Sequence, residues 1–261
     1  MNSAELQDAE KQESNSQWDI LIPDSVDNDF FSKNAFAERM NKCLNSINAD
    51  SFMDVIRGYR KHLSVFQQKF SKEQFREKYD NSPDLLNVYA FSVLVKDYLS
   101  KHLRVGGVDL EIKKKDYNNT AGGHLNIRTG KIYINFDYHT NGTLGDVAKT
   151  IAHEMWHVKQ AVSSIEEHED GSVTRTPYFN ALLINYTRAS SDYDSYYNQD
   201  VEKEAREFAD AFERKIFSDN PSYEAWMQER YGFPSEYYGR LATDIFFDSI
   251  VPDYWYDEQE Y

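Results

Sequence analysis

Cysteine is almost missing from this chain: Cys43 is the only one in 261 residues. That excludes an intrachain disulfide and any cysteine-based zinc site, and it leaves the thiol the role of a buried, inert side chain. Positive charge is also scarce. The chain carries 29 Lys and Arg against 44 Asp and Glu, a net charge of −15. Nucleic acid and anionic membrane both demand clustered cations, so neither is expected as the main partner. An acidic surface suits cationic or neutral peptides, and it equally suits plain solubility. Long apolar runs are lacking too. The longest, around Tyr89 to Val95, is far too short to span a bilayer. Residues 1–19 have no basic start and no apolar core of a signal peptide. Together these absences favour a reducing cytoplasm, although a toxin released by another route would share them.

What is present fits a folded protein. Hydrophobic residues make up 40% of the chain and aromatics 15%, enough for one large domain or two small ones. Residues 1–24 read as a flexible acidic tail with one apolar cluster, Trp18, Ile20, Leu21 and Ile22. Residues 25–105 read as helical. Phe36, Met40, Leu44 and Ile47 recur at helical spacing, as do Phe52, Val55, Ile56, Tyr59, Leu63 and Phe66. Ser71 to Gln74 is a capping box, and Ser82-Pro83 opens a further helix running towards Leu99. Gly106-Gly107 marks the one composition shift, and residues 106–261 form the second segment. There the pattern changes to period two. Leu110 and Ile112 alternate with charged residues, and Leu125, Ile127, Ile132, Ile134 and Phe136 flank a turn at Thr129-Gly130 as a hairpin does. The fold class is therefore α+β.

The hairpin leads into Thr150-Ile151-Ala152-His153-Glu154-Met155-Trp156-His157, which reads His-Glu-x-x-His. Thr143 is a suitable N-cap with Asp146 three residues on. Leu144, Val147, Ala148, Ile151, Ala152, Met155, Val158 and Val162 form a core stripe. At about 100° per residue, His153 and His157 fall opposite that stripe, on a face shared with Asp146, Thr150 and Gln160. A histidine pair on a polar helix face is usually just solvated; here the cap, the stripe and the preceding hairpin favour a metal site. One helical turn separates the two imidazoles, so both can bind one Zn²⁺, and Glu154 beside them can act as general base.

A third ligand is needed. The extended form with a third histidine fails, because Gln160 and Ser163 occupy its Gly and His positions. The helix-like segment from Asp200 to Phe212 offers two glutamates, Glu202 and Glu204, about 200° apart about its axis. At most one of them faces the metal. The pair of motifs resembles the gluzincin metallopeptidases: His153, Glu154 and His157, then Glu202 some 45 residues on, with Ala205 three residues later. The Glu-x-Glu-Ala-x-x-Phe-Ala string is similar to small bacterial and phage gluzincins, including the ImmA/IrrE group. The resemblance covers roughly residues 105–217. It implies a zincin-like core, a Zn²⁺ held by His153, His157 and Glu202 with Glu204 as the alternative ligand, and hydrolysis of a peptide or protein substrate with Glu154 as base. It implies an oxyanion donor between the motifs, where Tyr193, Tyr196, Tyr197, His168 and Arg175 are available. It also implies that the strand Ile132 to Phe136 holds substrate as an edge strand. One position departs from the family pattern: Arg206 stands where an acidic residue often orients a histidine. That departure leaves open a non-catalytic binding or regulatory module on the same scaffold, and an effector peptidase remains a further reading.

Overall fold

In the computed structural model, residues 29–58, 83–113, 122–139 and 143–231 are described. The acidic tail, the stretch from Tyr59 to Tyr79 and the C-terminal segment from residue 232 onward lie outside them. Helix α1 (Lys33–Ser46) starts where the Ser32 hydroxyl accepts from the Ala35 amide. Helix α2 (Ala49–Arg57) starts where the Asn48 side chain accepts from Ser51 at 2.8 Å. Both caps satisfy amides that have no intrahelical partner. Helix α3 (Pro83–Leu103) begins at its proline, as the Ser-Pro pair predicts. No helix among the described residues is long and apolar enough to cross a membrane.

Strands β1 (Asp109–Lys113), β2 (Gly123–Asn126) and β3 (Lys131–Asn135) form a small sheet in the order β1-β3-β2. Strand β3 pairs in parallel with β1 and antiparallel with β2. Ile132 and Ile134 of β3, with Ile112 of β1 and Leu125 of β2, turn one face of the sheet to the core. The expected hairpin is present, with Gly130 at φ +64° in its turn. Its edge is reversed from expectation, however. The run Ile132 to Phe136 supplies the central strand, hydrogen-bonded on both sides, and β1 and β2 are the edges among the described residues. Period-two alternation reports which face a residue takes, not where its strand stands in the sheet.

After a short turn, α4 (Phe136–His139), the motif helix α5 (Leu144–Val162) runs through the centre of the molecule. Its capping box is complete: Asp146 N donates to the Thr143 hydroxyl at 3.1 Å, and Thr143 N donates to the Asp146 carboxylate at 2.8 Å. The core stripe is buried as expected except at Val162, which is exposed near the helix end. The opposite face is solvated only in part: Asp146 is exposed, whereas His157 and Gln160 are buried. A minor hairpin, β4 (Ile165–Glu167) with β5 (Val173–Arg175), follows. Then come the turn α6 (Pro177–Phe179), the π-helical turn Asn180–Ile184, and helices α7 (Tyr193–Asn198), α8 (Asp200–Glu213) and α9 (Pro221–Tyr231).

Ala205 and Ala209 of α8 are buried without gaps against the rest of the core, and Phe208 stacks on Trp156 of α5 with ring centroids 4.4 Å apart. Small residues of this kind let two helix backbones approach. Phe52 of α2 meets Tyr98, Phe212 and Phe217 edge-on at 4.9–5.9 Å. One continuous apolar core therefore joins the N-terminal helices to the segment beyond Gly106-Gly107.

Two glycines let β2 lie against α5. A Cβ on Gly122 would stand 2.8 Å from the Thr150 hydroxyl, and one on Gly123 would stand 2.9 Å from the Tyr133 carbonyl. Gly123→Ala should lower unfolding free energy by about 1–3 kcal/mol, since the carbonyl it meets is backbone. Gly106→Ala, with nothing within 4 Å of its Cβ, should stay within about 0.5 kcal/mol of wild type. Denaturant titration of both checks the pair, and equal effects would refute the close-approach account. His139 is fully buried, and burial pushes its imidazole down to about 4, with the charge of Asp146 opposing. The unfolded chain therefore binds a proton below pH 6.5 that the folded chain refuses. Stability from this group is complete above pH 6.5 and is lost as pH falls towards 4, by about 3 kcal/mol. His139→Gln should flatten the stability profile of metal-free protein across that window.

Candidate metal centre

The motif helix sets His153 and His157 one turn apart, with ring centroids 4.7 Å apart and the planes nearly perpendicular. Both present Nε2 to the same point, and the two nitrogens lie 3.1 Å apart. Helix α8 brings Glu202 to that point from its first turn. Its Oε2 stands 3.2 Å from His153 Nε2, and its Oε1 stands 3.1 Å from His157 Nε2. The carboxylate is 1% exposed. These three donors are the only group of metal-ligating side chains so gathered among the described residues.

The triangle can be tested against a metal. Two ligands at ~2.0–2.1 Å in tetrahedral array lie about 3.3–3.4 Å apart. The two imidazole nitrogens, 3.1 Å apart, come within a few tenths of an ångström of that spacing, and each faces one oxygen of the Glu202 carboxylate at 3.1–3.2 Å. Glu202 Oε2 is buried and faces His153 Nε2 at 3.2 Å, so a cation entering there would meet both groups as ligands. In the metal-free chain, burial opposes charge on His157, but the Glu202 carboxylate and the charge of Glu154 outweigh it and push the imidazole up to about 9. Burial likewise opposes the Glu202 charge, yet contact with both histidines holds its carboxyl well below the usual range. A metal ion entering the site displaces the proton that His157 carries.

A cleft of about 100 Å³ opens on this triangle. Glu154, on the same helix and 6% exposed, lines it beside the three donors. One wall is the β2 edge and its turn, Gly123 to Leu125 and Ile127; the other is Leu182, Tyr186 and Tyr196.

The remaining sequence candidates are placed elsewhere. Glu204 is buried on the far side of the α8 stripe, where it meets Arg39, Tyr178 and Gln160 and does not enter the triangle. Tyr193 and Tyr197 lie on the outer face of α7, both exposed and stacked on each other. His168 bonds the Thr174 hydroxyl across the β4–β5 hairpin, and the Arg175 guanidinium covers the Phe179 ring. None of these four lines the cleft. Helical phase explains the division: of the α7 tyrosines, only Tyr196 points inward. Arg206 accounts for part of this placement. Its guanidinium lies 3.7 Å over the Tyr197 ring and donates to the Tyr197 carbonyl, which pins the end of α7 to α8.

Two contributors are not among the sequence candidates. Tyr186, on irregular chain after the π-turn, donates its hydroxyl to Glu202 Oε1 at 2.5 Å. Burial and the charge of Glu202 hold the Tyr186 and Tyr196 phenols above the usual range, so both remain donors. Gln160 bonds His157 Nδ1 at 2.8 Å and takes the orienting role for which Arg206 is unsuited. Its place three residues after His157, on the same helix face, is the signal that could have identified it.

No family model matches the chain, and no curated protein or solved structure is significantly similar to it.

Elemental analysis of purified protein should find about one metal ion per chain. His153→Ala, His157→Ala and Glu202→Ala should each bring that content close to zero. Glu204→Ala should still fill the site at saturating metal. Full occupancy in the Glu202 variant would remove it from the ligand set.

Proposed function

We propose that this chain is a zinc-dependent peptidase of the gluzincin kind, with His153, His157 and Glu202 as ligands and Glu154 as general base. The observation that carries the reading is the gathering of His153, His157 and Glu202 closely enough to share one metal, with the Glu154 carboxylate beside them on the cleft wall. Zinc fits this donor set because two imidazoles and one carboxylate leave a fourth position open. Bound there, it would supply a Lewis acid and lower the pKa of water towards about 7.

The chain's own groups carry the rest. Glu154 takes a proton from the attacking water and returns it to the leaving amine, a transfer worth roughly 10²–10⁴-fold. Its near-complete burial limits competing hydration of the carboxylate. Tyr196, whose phenol lines the cleft and contacts Glu202 outside the short Tyr186–Glu202 bond, would donate to the developing oxyanion. Strand β2 takes the substrate-holding role assigned by resemblance to Ile132–Phe136: its outer edge has no described strand partner and it forms one wall of the cleft. A peptide laid along it as an added strand would pass its scissile carbonyl over Glu154.

Zinc-loaded wild-type protein should cleave members of a peptide library. Glu154→Gln should retain one zinc per chain and lose cleavage by at least about 10²-fold. Tyr196→Phe should lower kcat by roughly 10²–10³-fold with little change in KM. No cleavage across the library by the zinc-loaded chain, or undiminished cleavage by Glu154→Gln, would refute the proposal.

A further inference from the structure

A buried polar chain runs from the N-terminal helix to the metal triangle. Arg39 of α1 lies with its guanidinium 4.3 Å over Phe30 and 5.6 Å over Tyr178. It pairs with Glu204 Oε1 at 2.5 Å. The other oxygen of Glu204 accepts from the Tyr178 hydroxyl at 2.6 Å and from Gln160 Nε2 at 3.1 Å. Gln160 Nε2 also donates to the Val201 carbonyl at 3.0 Å, and Gln160 Oε1 faces His157 Nδ1 at 2.8 Å.

The direction of every bond in this chain is determined. A carboxylate paired with Arg39 and a backbone carbonyl can only accept, so the Gln160 atom that meets both must be its NH₂. That leaves the Gln160 oxygen towards His157, where it can only accept. Nδ1 of His157 must therefore carry a hydrogen, so the proton a metal displaces is the one on Nε2, the atom facing His153 and Glu202, which then offers the lone pair a metal needs. Gln160 has no freedom to reverse its amide, because an inverted side chain would set its oxygen against Glu204 and Val201.

We propose that Arg39, Tyr178, Glu204 and Gln160 form a positioning chain that fixes His157 in its Nδ1–H form, making helix α1 a working part of the metal centre. The inference rests on the zinc reading of that site. Glu204 is then a positioning residue and not a spare ligand. The N-terminal helices are not merely a cap on the core, because one of their cations reaches the ligand set through two side chains, Glu204 and Gln160.

The test is a competition titration of the full chain with Zn²⁺ against a chromophoric chelator, set beside the thermal stability of each metal-free variant. Gln160→Met removes the acceptor for Nδ1–H at nearly constant shape and should weaken zinc binding about 10–100-fold. Gln160→Glu keeps that acceptor and should hold zinc within a few-fold of wild type, although facing Glu204 it should fold less stably than Gln160→Met. Zinc affinity and fold stability are thus expected to rank these two variants in opposite order. Arg39→Met and Glu204→Gln should each weaken zinc binding in the same sense as Gln160→Met. Affinity that merely tracks thermal stability, or wild-type affinity in Gln160→Met and Glu204→Gln, would overturn the positioning chain and leave the peptidase reading intact. A wild-type chain that takes up no zinc at all would instead overturn the reading of the site itself.

Discussion

Glu202 is a carboxylate taken almost wholly out of water, and burying such a charge without a partner costs several kcal/mol. The fold around it supplies partners on three sides: two imidazoles from the motif helix, and a phenol from the chain beyond the π-turn. Those partners come from segments that meet only because the α8 alanines admit the motif helix and because Trp156 and Phe208 stack across the seam. The tolerance is narrow. A shift of an ångström between the helices would leave the carboxylate with neither a histidine proton nor a metal to offset its charge. Packing precision and site chemistry are here a single requirement. The least solvated acid in the centre is also the one set against two imidazoles, which suits a buried group meant to hold a cation.

How much of this could be read from the residues alone depended on whether the signal was local. The motif helix, its cap and its two histidines are encoded within twenty residues, and a period of 3.6 places both imidazoles together without reference to any other element. The hairpin is equally local. Glu202 and Glu204 were separable by helical phase as facing opposite ways, and their order of preference came from resemblance. What each would meet depended on Tyr186, Tyr178 and Arg39, which stand 16, 26 and 165 residues away in the chain from their glutamate partners. No periodicity spans such intervals. The same reason explains the sheet: alternation marks Ile132 to Phe136 as a strand, but whether it is central or at the edge depends on which strands pair with it.

The motif helix also shows why amphipathic pattern underestimates burial at a site. An apolar stripe predicts one buried face and one wet face, yet the polar face of α5 is covered along much of its length. Polar residues can occupy a buried face when they satisfy one another, and Gln160 does so with three partners: His157, Glu204 and the Val201 carbonyl. A composition-based reading counts such a glutamine as solvent-facing. Its neighbours decide otherwise.

Two glutamates two residues apart on one helix thus have opposite fates for one physical reason. Each is buried, so each must be compensated. Glu202 meets groups that can give up a proton to a metal, whereas Glu204 meets an arginine that cannot lose its charge and a phenol that burial keeps protonated. A permanent cation makes Glu204 a permanent acceptor, and a permanent acceptor dictates the orientation of Gln160. Titratable partners make Glu202 a site that can exchange protons for metal. Helix α8 therefore carries an exchangeable carboxylate on one flank and a fixed one on the other, and the fixed one sets the donor atom that His157 offers to the exchangeable one. Exchanging the two environments, with the arginine beside Glu202 and the histidines beside Glu204, would preserve the total charge and move the metal site to Glu204.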